Sequence, residues 1–301
     1  MMADWLEEFQ EYLVSQKGLS ANTVRSYLKD VEHYMQYLWD CSIAQPEQAT
    51  SQIIRDYIAY LEEKGRSEST VTRNIASIRC YYQYLCQREG SSSNPAQEVK
   101  REKAERKLPN ILTGEELDLL LSQPNVTEAK GCRDRAMMEL LYATGIRVSE
   151  LTALNIEDLD IEEGILTCKG SKHHRRIPVY PTAIKAVSDY LVRFRGILTK
   201  EKEAEGQALF VNLNGKRISR QGFWKIIKAY AARANITKEI TPHTLRHSFA
   251  LHLLENGAQL RDIQIMMGHA DISSTQLYVQ ILDQFYQESY HLYHPKAKKN
   301  R

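Results

Sequence analysis

The sequence predicts a mainly α protein, with a four-helix bundle at the N-terminus and a mostly helical second domain that contains a small antiparallel β-sheet. Three observations predict this arrangement. Apolar residues recur at helical spacing through most of residues 4–89, a polar break with glycine and proline follows at residues 90–95, and two short strand-like runs interrupt the helical pattern beyond residue 160. The length of 301 residues suits two domains.

Four apolar stripes define the helices of the N-terminal domain, residues 1–90. The clearest begins after Ser20, whose side chain suits an N-cap, and continues through Val24 and Val31. Stripes of this kind are typical of helices that pack against each other, so we expect a bundle. The other three stripes contain Trp5, Phe9 and Leu13; Ile54, Ile58 and Leu61; and Ile75, Tyr82 and Leu85.

Residues 91–110 predict an exposed linker, because serines, a proline and a charged run separate the two periodic regions. The second domain, residues 111–301, opens with Thr113 and Glu116, whose spacing predicts a capping box. Two strand-like runs, joined by a polar loop with a basic tip, predict a β-hairpin. The runs are Ile165–Cys168 and Arg176–Val179; further helices are predicted from Arg133, Val148, Pro181, Ser219, Thr241 and Ser273, with a short tail helix within residues 281–301.

Composition excludes several classes of protein. No segment approaches the roughly 18 uninterrupted apolar residues of a membrane span. Acidic residues stand where a signal peptide would be basic and then apolar, so we expect a cytoplasmic protein without a membrane partner. The five cysteines are scattered without C-x-x-C spacing, which argues against a disulfide framework and against a zinc knuckle.

Basic residues are distributed unevenly, although the net charge is only +2. Residues 207–238 hold seven Lys and Arg and no acid, and residues 164–188 hold five, again without an acid. Such stretches are typical of a polyanion partner. A solvated surface that is simply basic would have the same composition, so charge alone does not decide the partner.

The segment Thr241–His247 is the strongest local signal for chemistry. Thr241 suits an N-cap and Pro242 the first helical position, which places His243 and Arg246 near a helix N-terminus. The free N–H groups and the helix dipole there favour an anion, so the segment predicts a phosphate site. The alternative is that both side chains bond to neighbouring backbone.

The second histidine of this segment has a different interpretation. We expect His247 to be a packed or capping histidine. The spacing of His243 and His247 is that of a zinc helix, but Thr244 replaces the glutamate of H-E-x-x-H, so no metal site is predicted.

Two further residues are candidates through their context. Tyr278 lies nine residues after His269, but the chain has 17 tyrosines, three of which follow within 15 residues of Tyr278. Arg147 follows a Thr-Gly pair that permits a sharp turn, and it stands at the start of a helix. Alternatively, Arg147 pairs with Glu150 one turn later.

These elements occur in one order along the chain: Arg147 in TGIRVSEL, a hairpin lysine, His243-x-x-Arg246, Gly268-His269 and Tyr278. In that order they resemble the tyrosine recombinase (phage integrase) family, most closely its Xer subgroup, and the resemblance covers the whole chain. Each element alone is weak, but five spaced elements together are highly specific. The resemblance implies an N-terminal core-binding (SAM-like) bundle that clamps DNA, a linker and a catalytic domain.

By this resemblance the enzyme would cut and rejoin DNA through a 3′-phosphotyrosyl bond, with Tyr278 as the nucleophile. Arg147 and Arg246 would hold the scissile phosphate and offset the charge of a pentavalent transition state. Glu150 would support the Arg147 region. The transesterification would need neither a cofactor nor a metal, because phosphotyrosine keeps the energy of the phosphodiester.

The same resemblance implies groups that bind the phosphate or move protons. His243 would accept the proton of the tyrosine, and His269 would bond the phosphate. A hairpin lysine would protonate the leaving 5′-oxygen. We expect this lysine to be Lys169, and Lys172 stays open because the hairpin is one residue longer than the usual Xer form.

The resemblance also implies partners. Recombination would proceed through a Holliday junction within a tetramer on double-stranded DNA, formed by this chain alone or with a sister recombinase. The tail helix would dock on a neighbouring subunit; the alternative is that it packs on its own domain. A septal DNA translocase is a further expected partner. We expect DNA contacts from Arg25, Arg73, Lys172, Arg175, Lys216, Arg217 and Arg220.

The expected role is the resolution of chromosome dimers during segregation. The alternatives are an integrase or resolvase of a mobile element, a DNA-binding relative that no longer cuts, and a relaxing enzyme of the type IB topoisomerase kind. The presence of both arginines, the lysine, both histidines and the tyrosine argues against the relative that no longer cuts.

Overall fold

A computed structural model of the chain describes residues 4–89, 94–99, 109–169, 174–199, 206–268 and 273–293. These residues form two compact units, Met1–Arg106 and Lys107–Arg301. Most of the predicted linker lies outside the described residues, so its extent stays a prediction. Each unit is described by itself below.

The first unit is a bundle of four helices, as predicted. They are α1 (Asp4–Ser15), α2 (Ala21–Asp40), α3 (Ser51–Glu63) and α4 (Glu68–Glu89). The Ser20 side chain accepts a hydrogen bond from the backbone N–H of Thr23, which confirms the predicted N-cap of α2. The predicted apolar stripes supply the core, in which Phe9, Val31 and Ile78 are fully buried.

The bundle also contains a polar cluster around one buried carboxylate. Asp30 on α2 accepts two hydrogen bonds of 2.8 Å from the Arg73 guanidinium on α4. Asn74 and Ser77, also on α4, each donate to the same carboxylate at 3.3 Å. A buried carboxylate is stable only when its oxygens are paired in this way. The cluster therefore fixes the register of α2 against α4.

Part of the predicted exposed linker belongs to the bundle. Ala96 and Val99 are buried in the bundle core, and the Arg79 guanidinium donates to both of their carbonyl oxygens. The Ser51 hydroxyl donates to the carbonyl of Pro95 at 2.8 Å. The prediction of an exposed segment was wrong here. Ala96 and Val99 are apolar residues three positions apart, and both pack against the bundle although their neighbours in the sequence are polar.

The second unit begins with three helices that lead to the predicted site. They are α5 (Gly114–Ser122), α6 (Ala129–Thr144) and α7 (Val148–Ala153). Thr113 and Glu116 form the predicted capping box of α5. Gly145 ends α6 in the left-handed conformation with φ 58°, and a Cβ there would overlap the Phe249 ring. Only glycine allows the chain to turn here directly into Arg147 and α7.

The sheet has three antiparallel strands rather than the two of the predicted hairpin. They are β1 (Leu159–Asp160), β2 (Ile165–Lys169) and β3 (His174–Pro178), in the order β1-β2-β3. The strands β2 and β3 pair Cys168 with Arg175 and Lys169 with His174. Lys169 therefore ends β2, next to the hairpin tip, residues 170–173, which lies outside the described residues.

Helices resume after the sheet, close to the predicted positions. They are α8 (Pro181–Tyr190), a π-helical turn (Leu191–Arg195), α9 (Gly196–Thr199), α10 (Arg220–Arg233), α11 (Pro242–Glu255), α12 (Leu260–Met267) and α13 (Ser273–Tyr293). The predicted tail helix is not separate, because α13 runs without a break past Tyr278. Its neighbour α11 packs against α6, α12 and α13, so α11 lies at the centre of the predicted site. No helix within the described ranges is both long and apolar enough to cross a membrane.

The Asp30 cluster yields a test of what stabilises the bundle. Asp30→Asn removes the negative charge that the Arg73 guanidinium binds and places an amide NH₂ group, which is itself a donor, beside that guanidinium. The free energy of unfolding of the bundle should therefore fall by about 1–3 kcal/mol. Hydrogen exchange of α2 and α4 amides in the full chain should accelerate accordingly. Asp56→Asn removes an exposed carboxylate of α3 and is the matched control. Unchanged exchange in Asp30→Asn would contradict the assignment.

Candidate active site

The N-terminus of α11 has the predicted structure. The Thr241 side chain accepts from the Thr244 N–H, and Pro242 is the first helical residue. His243 is exposed on the first turn, whereas Arg246 is buried. Partial burial and the nearby guanidinium groups of Arg246, Arg220 and Arg147 lower the pKa of His243, so its imidazole is neutral at physiological pH.

The Arg246 guanidinium is bound to backbone carbonyls. It donates to the carbonyl oxygens of Gly145 and, at 2.8 Å, of Met267. Burial and the neighbouring charge of Arg147 lower the pKa of Arg246 to about 10, which still leaves it charged at neutral pH. The sequence left open whether this side chain serves a phosphate or the backbone. In the structure it bonds to the backbone, and among the described residues no acid is hydrogen-bonded to it.

Arg147 bonds to the same turn. Its Nη2 donates to the carbonyl of Gly268 at 2.9 Å, one residue beyond the Met267 carbonyl that Arg246 binds. Both arginines thus hold the C-terminal end of α12, where the partial negative charge of the helix dipole lies. The predicted pairing of Arg147 with Glu150 is also present, at 3.5 Å from Nη1 to Oε1. The side chain is 41% exposed, so it remains open to a ligand.

Glu150 holds the start of α7 together. One carboxylate oxygen accepts from the backbone N–H of Arg147 at 2.8 Å, and the other accepts from Nη2 of Arg175 at 2.9 Å. Burial raises the pKa of Glu150, but these hydrogen bonds and the two arginine charges outweigh it and lower the pKa overall. Glu150 is therefore ionised at neutral pH, and it joins two arginines.

Tyr278, the predicted nucleophile, is buried on α13, and its hydroxyl lies 2.8 Å from Nδ1 of His247. Burial raises the pKa of Tyr278 to about 12, against the opposing effect of Arg246. Burial, together with the charges of His243 and Arg246, lowers the pKa of His247 to about 4. The tyrosine is therefore a neutral phenol that is hydrogen-bonded to a neutral imidazole, and it is only 1% exposed.

His247 has a hydrogen-bond partner that the sequence did not predict. It was expected to be a packed or capping histidine, and it is partly buried on α11, where its Nδ1 lies next to the hydroxyl of Tyr278. Its ring centroid lies 6.3 Å from that of His243, one turn earlier on α11. The spacing of four residues placed both rings on one face, but only the position of α13 shows which of them meets the tyrosine.

Lys169 is held by two carboxylates. Its ammonium lies 2.7 Å from Asp158 and 2.9 Å from Glu157, and these two hydrogen bonds raise its pKa. A lysine paired in this way gives up its proton less readily. Lys172 and His269 lie outside the described residues, so the choice of lysine and the role of His269 stay predictions.

The predicted DNA-contacting arginines divide into two groups. Arg25, Lys216 and Arg220 are exposed, as a phosphate contact requires. Arg73, Arg175 and Arg217 are instead engaged within the fold, which differs from the expectation. Arg73 binds Asp30, Arg175 binds Glu150, and Arg217 donates to the carbonyls of Thr152 and Leu154 and to the Asn155 side chain. Their contact with DNA stays a prediction.

No cluster of three or more histidines, cysteines and acids that could hold a metal ion occurs within the described part of the chain.

Comparisons with known proteins identify the family of the chain. The chain matches the phage integrase family over residues 110–284 and the phage integrase N-terminal SAM-like domain over residues 6–89. It is 44% identical to the tyrosine recombinase XerD of Oceanobacillus iheyensis over 295 residues, which cover 97% of this chain and 98% of the relative. The chain therefore belongs to the phage integrase family of tyrosine recombinases.

Two solved structures share the fold at low sequence identity. One is the XerH site-specific recombinase bound to palindromic difH substrate in a post-cleavage complex, with a TM-score of 0.74, 20% identity, and coverage of 96% of this chain and 95% of that chain. The other is a lambda integrase tetramer bound to a Holliday junction, with a TM-score of 0.72, 18% identity, and coverage of 92% and 76%. At these identities the likeness establishes the fold.

The contact of His247 with Tyr278 predicts a pH dependence of stability. The pKa of His247 is about 4 in the folded protein and about 6.5 in an unfolded chain. Between these values the unfolded chain binds a proton that the folded protein does not. The free energy of unfolding should therefore fall as the pH falls from about 6.5 to about 4, by at most about 1.4 kcal/mol per pH unit for this group.

The variant His247→Asn isolates this effect, because its amide does not titrate and keeps a polar group near the position of Nδ1. Urea unfolding followed by the fluorescence of Trp224, in the second unit, should show a shallower pH slope in the variant than in the wild type. Equal slopes would contradict the buried, neutral state of His247.

Proposed function

We propose that this tyrosine recombinase cuts and rejoins DNA at a specific site through a 3′-phosphotyrosyl intermediate on Tyr278, and that it resolves chromosome dimers during segregation. The observation that carries the proposal is the convergence of Arg147 and Arg246 on one helix end, beside a tyrosine held by His247. The 44% identity to a protein named tyrosine recombinase XerD, over nearly the whole chain, supports the Xer role over that of a mobile-element enzyme.

The two arginines can exchange backbone carbonyls for phosphate oxygens. A guanidinium fork matches two oxygens of a phosphodiester, and charged oxygens bind it more strongly than carbonyls do. Binding of the scissile phosphate would thus turn the Arg147 and Arg246 forks towards DNA. Their charges would then offset the negative charge that develops as phosphorus becomes pentavalent.

Attack requires the phenol of Tyr278 to leave His247 and to lose its proton. Tyr278 Oη would form a bond to phosphorus as the bond from phosphorus to the 5′-oxygen breaks. His243 is the proposed acceptor of the proton, because it is neutral and exposed at the mouth of the site, whereas burial makes His247 a weak base. His269 is proposed to bond the phosphate.

The leaving 5′-oxygen takes a proton, which we assign to Lys169. The ammonium of Lys169 ends β2 and must exchange Asp158 and Glu157 for DNA before it can act. DNA supplies competing anionic oxygens, and the lysine is half exposed, so this exchange is accessible. Lys172, three residues further in the hairpin, is the alternative donor.

Several further features of the proposed function rest on the family. Exposed Arg25, Lys216 and Arg220 are the best-placed proposed phosphate contacts. Strand exchange within a tetramer, homomeric or with a sister recombinase, is proposed by analogy with the lambda integrase tetramer on a Holliday junction. Action in the cytoplasm, where the chromosome lies, and control by a septal DNA translocase are proposed on the resemblance alone.

The nucleophile can be tested by a covalent adduct. Wild-type protein is incubated with sheared host chromosome, SDS-resistant adducts are sequenced to find the site, and a nicked duplex of that site then serves as the adduct substrate. We expect an adduct on the 3′ side of the break, which Tyr278→Phe abolishes. Tyr290→Phe, an exposed tyrosine on the same helix, is the matched control and should keep it. An adduct that survives in Tyr278→Phe would overturn the assignment.

The proton donor can be tested with a modified leaving group. A 5′-thiol leaves without a proton, so a 5′-phosphorothiolate version of the adduct substrate should restore cleavage by Lys169→Ala to near the wild-type rate. On the ordinary substrate Lys169→Ala should be slower by about 10²–10⁴-fold. If the thiol restores Lys172→Ala instead, Lys172 is the donor and the assignment of Lys169 is wrong.

A further inference from the structure

Arg175 is a third arginine at the site, and no step of the proposed reaction uses it. It is the second residue of β3, and its side chain is only 12% exposed. Nη2 donates to Glu150 at 2.9 Å and contacts the sulfur of Cys168 at 3.4 Å. Its Nε is buried and has no hydrogen-bond partner among the described residues. The contacts described for the Arg175 guanidinium are thus all with residues of the fold.

The carboxylate of Glu150 is shared between Arg175 and Arg147. Oε1 lies 2.9 Å from Arg175 Nη2 and 3.5 Å from Arg147 Nη1. The closer and better buried of the two cations is therefore Arg175. Without Arg175 the carboxylate would attract Arg147 alone, in competition with the phosphate that Arg147 is proposed to bind.

Arg175 also touches the other partner of Arg147. Gly268 has φ 65°, and a Cβ at this position would overlap the Arg175 guanidinium. The guanidinium therefore lies directly against the backbone of the turn whose carbonyl accepts from Arg147 Nη2 at 2.9 Å. Arg175 thus touches both groups that contact the Arg147 side chain, Glu150 and the Gly268 turn.

The position of Arg175 on β3 adds a third connection. Its partner in the sheet is Cys168, next to Lys169 at the end of β2. Arg175 therefore joins β3 to α7 and to the end of α12. These contacts fix the position of the hairpin, which carries the proposed proton donor, relative to the two arginines that are proposed to bind the phosphate.

We propose that Arg175 is a positioning residue of the cleavage site, which neutralises Glu150 and supports the Gly268 turn so that Arg147 is oriented and free to bind the scissile phosphate. This inference rests on the proposed function. In this proposal Arg175 does not contact DNA. It acts by pairing with the negative charge of Glu150.

The test uses the full chain and the adduct substrate. Arg175→Met keeps most of the side-chain volume without the charge, and it should slow single-turnover adduct formation by about 10- to 100-fold, the effect of losing a group that orients a charged ligand residue. The double variant Arg175→Met/Glu150→Gln should form the adduct at least about five times faster than Arg175→Met alone. It lacks the unpaired carboxylate, while its amide oxygen still accepts from the Arg147 N–H. A purely structural role for Arg175 predicts no gain from a second change in the same network.

Two further arms separate the alternatives. The salt dependence of DNA affinity should be unchanged in Arg175→Met, whereas the exposed control Arg220→Met should lower the slope of log Kd against log salt by about 0.9, the value for one phosphate contact. A lowered slope in Arg175→Met would show that Arg175 contacts DNA and would overturn the proposal. Arg175→Lys keeps a cation beside Glu150, so it should react faster than Arg175→Met; equal rates would also overturn it.

Failure of this inference differs from failure of the proposed function. If Arg175→Met forms the adduct at the wild-type rate, or if Glu150→Gln does not restore it, only the role of Arg175 falls. If the wild type forms no adduct, or if Tyr278→Phe still forms one, the proposed function falls and the inference falls with it.

Discussion

Two arginines bind the C-terminal end of one short helix, and the rest of the candidate site depends on that contact. Arg246 and Arg147 donate to the adjacent carbonyls of Met267 and Gly268. Burying a guanidinium is costly unless its N–H groups are bonded, and the carbonyls satisfy them without cancelling the charge. A carboxylate in the same place would have filled both forks and competed with a phosphate. The site is therefore held in shape by partners that an anion can displace.

The helix α11 connects the proposed phosphate site to the proposed nucleophile. Arg246 and His247 are adjacent on it, and the charge of Arg246 contributes to the lowered pKa values of both His243 and His247. A phosphate bound at Arg246 would offset that charge and make both imidazoles better proton acceptors. The hydrogen bond that holds Tyr278 buried would change at the same moment. By this argument a bound phosphate would act on Tyr278 through His247.

Local signals were sufficient to predict most helices and the order of the site residues. Ser20, the capping box at Thr113 and the turn at Gly145 act within a few residues, so the sequence contains the whole cause of each. The environment of Arg175 could not be predicted in this way. Whether an arginine faces solvent depends on the carboxylate that the fold brings to it, and Glu150 lies 25 residues away on another element. The contact of His247 with Tyr278 could not be predicted for the same reason, because Tyr278 belongs to α13.

The charge balance of the cluster indicates which state of the reaction the site fits. The cluster contains three arginines, Arg147, Arg175 and Arg246, and one described carboxylate, Glu150. The three positive charges and the one negative charge leave a surplus of about two positive charges. A phosphodiester brings one negative charge, and attack by a tyrosinate brings a second onto the pentavalent phosphorus. The surplus therefore matches the transition state more closely than the bound substrate. An enzyme that binds the transition state more strongly than the ground state accelerates the chemical step. Here the charges of Arg147 and Arg246 make up the surplus, because Glu150 is already paired with Arg175.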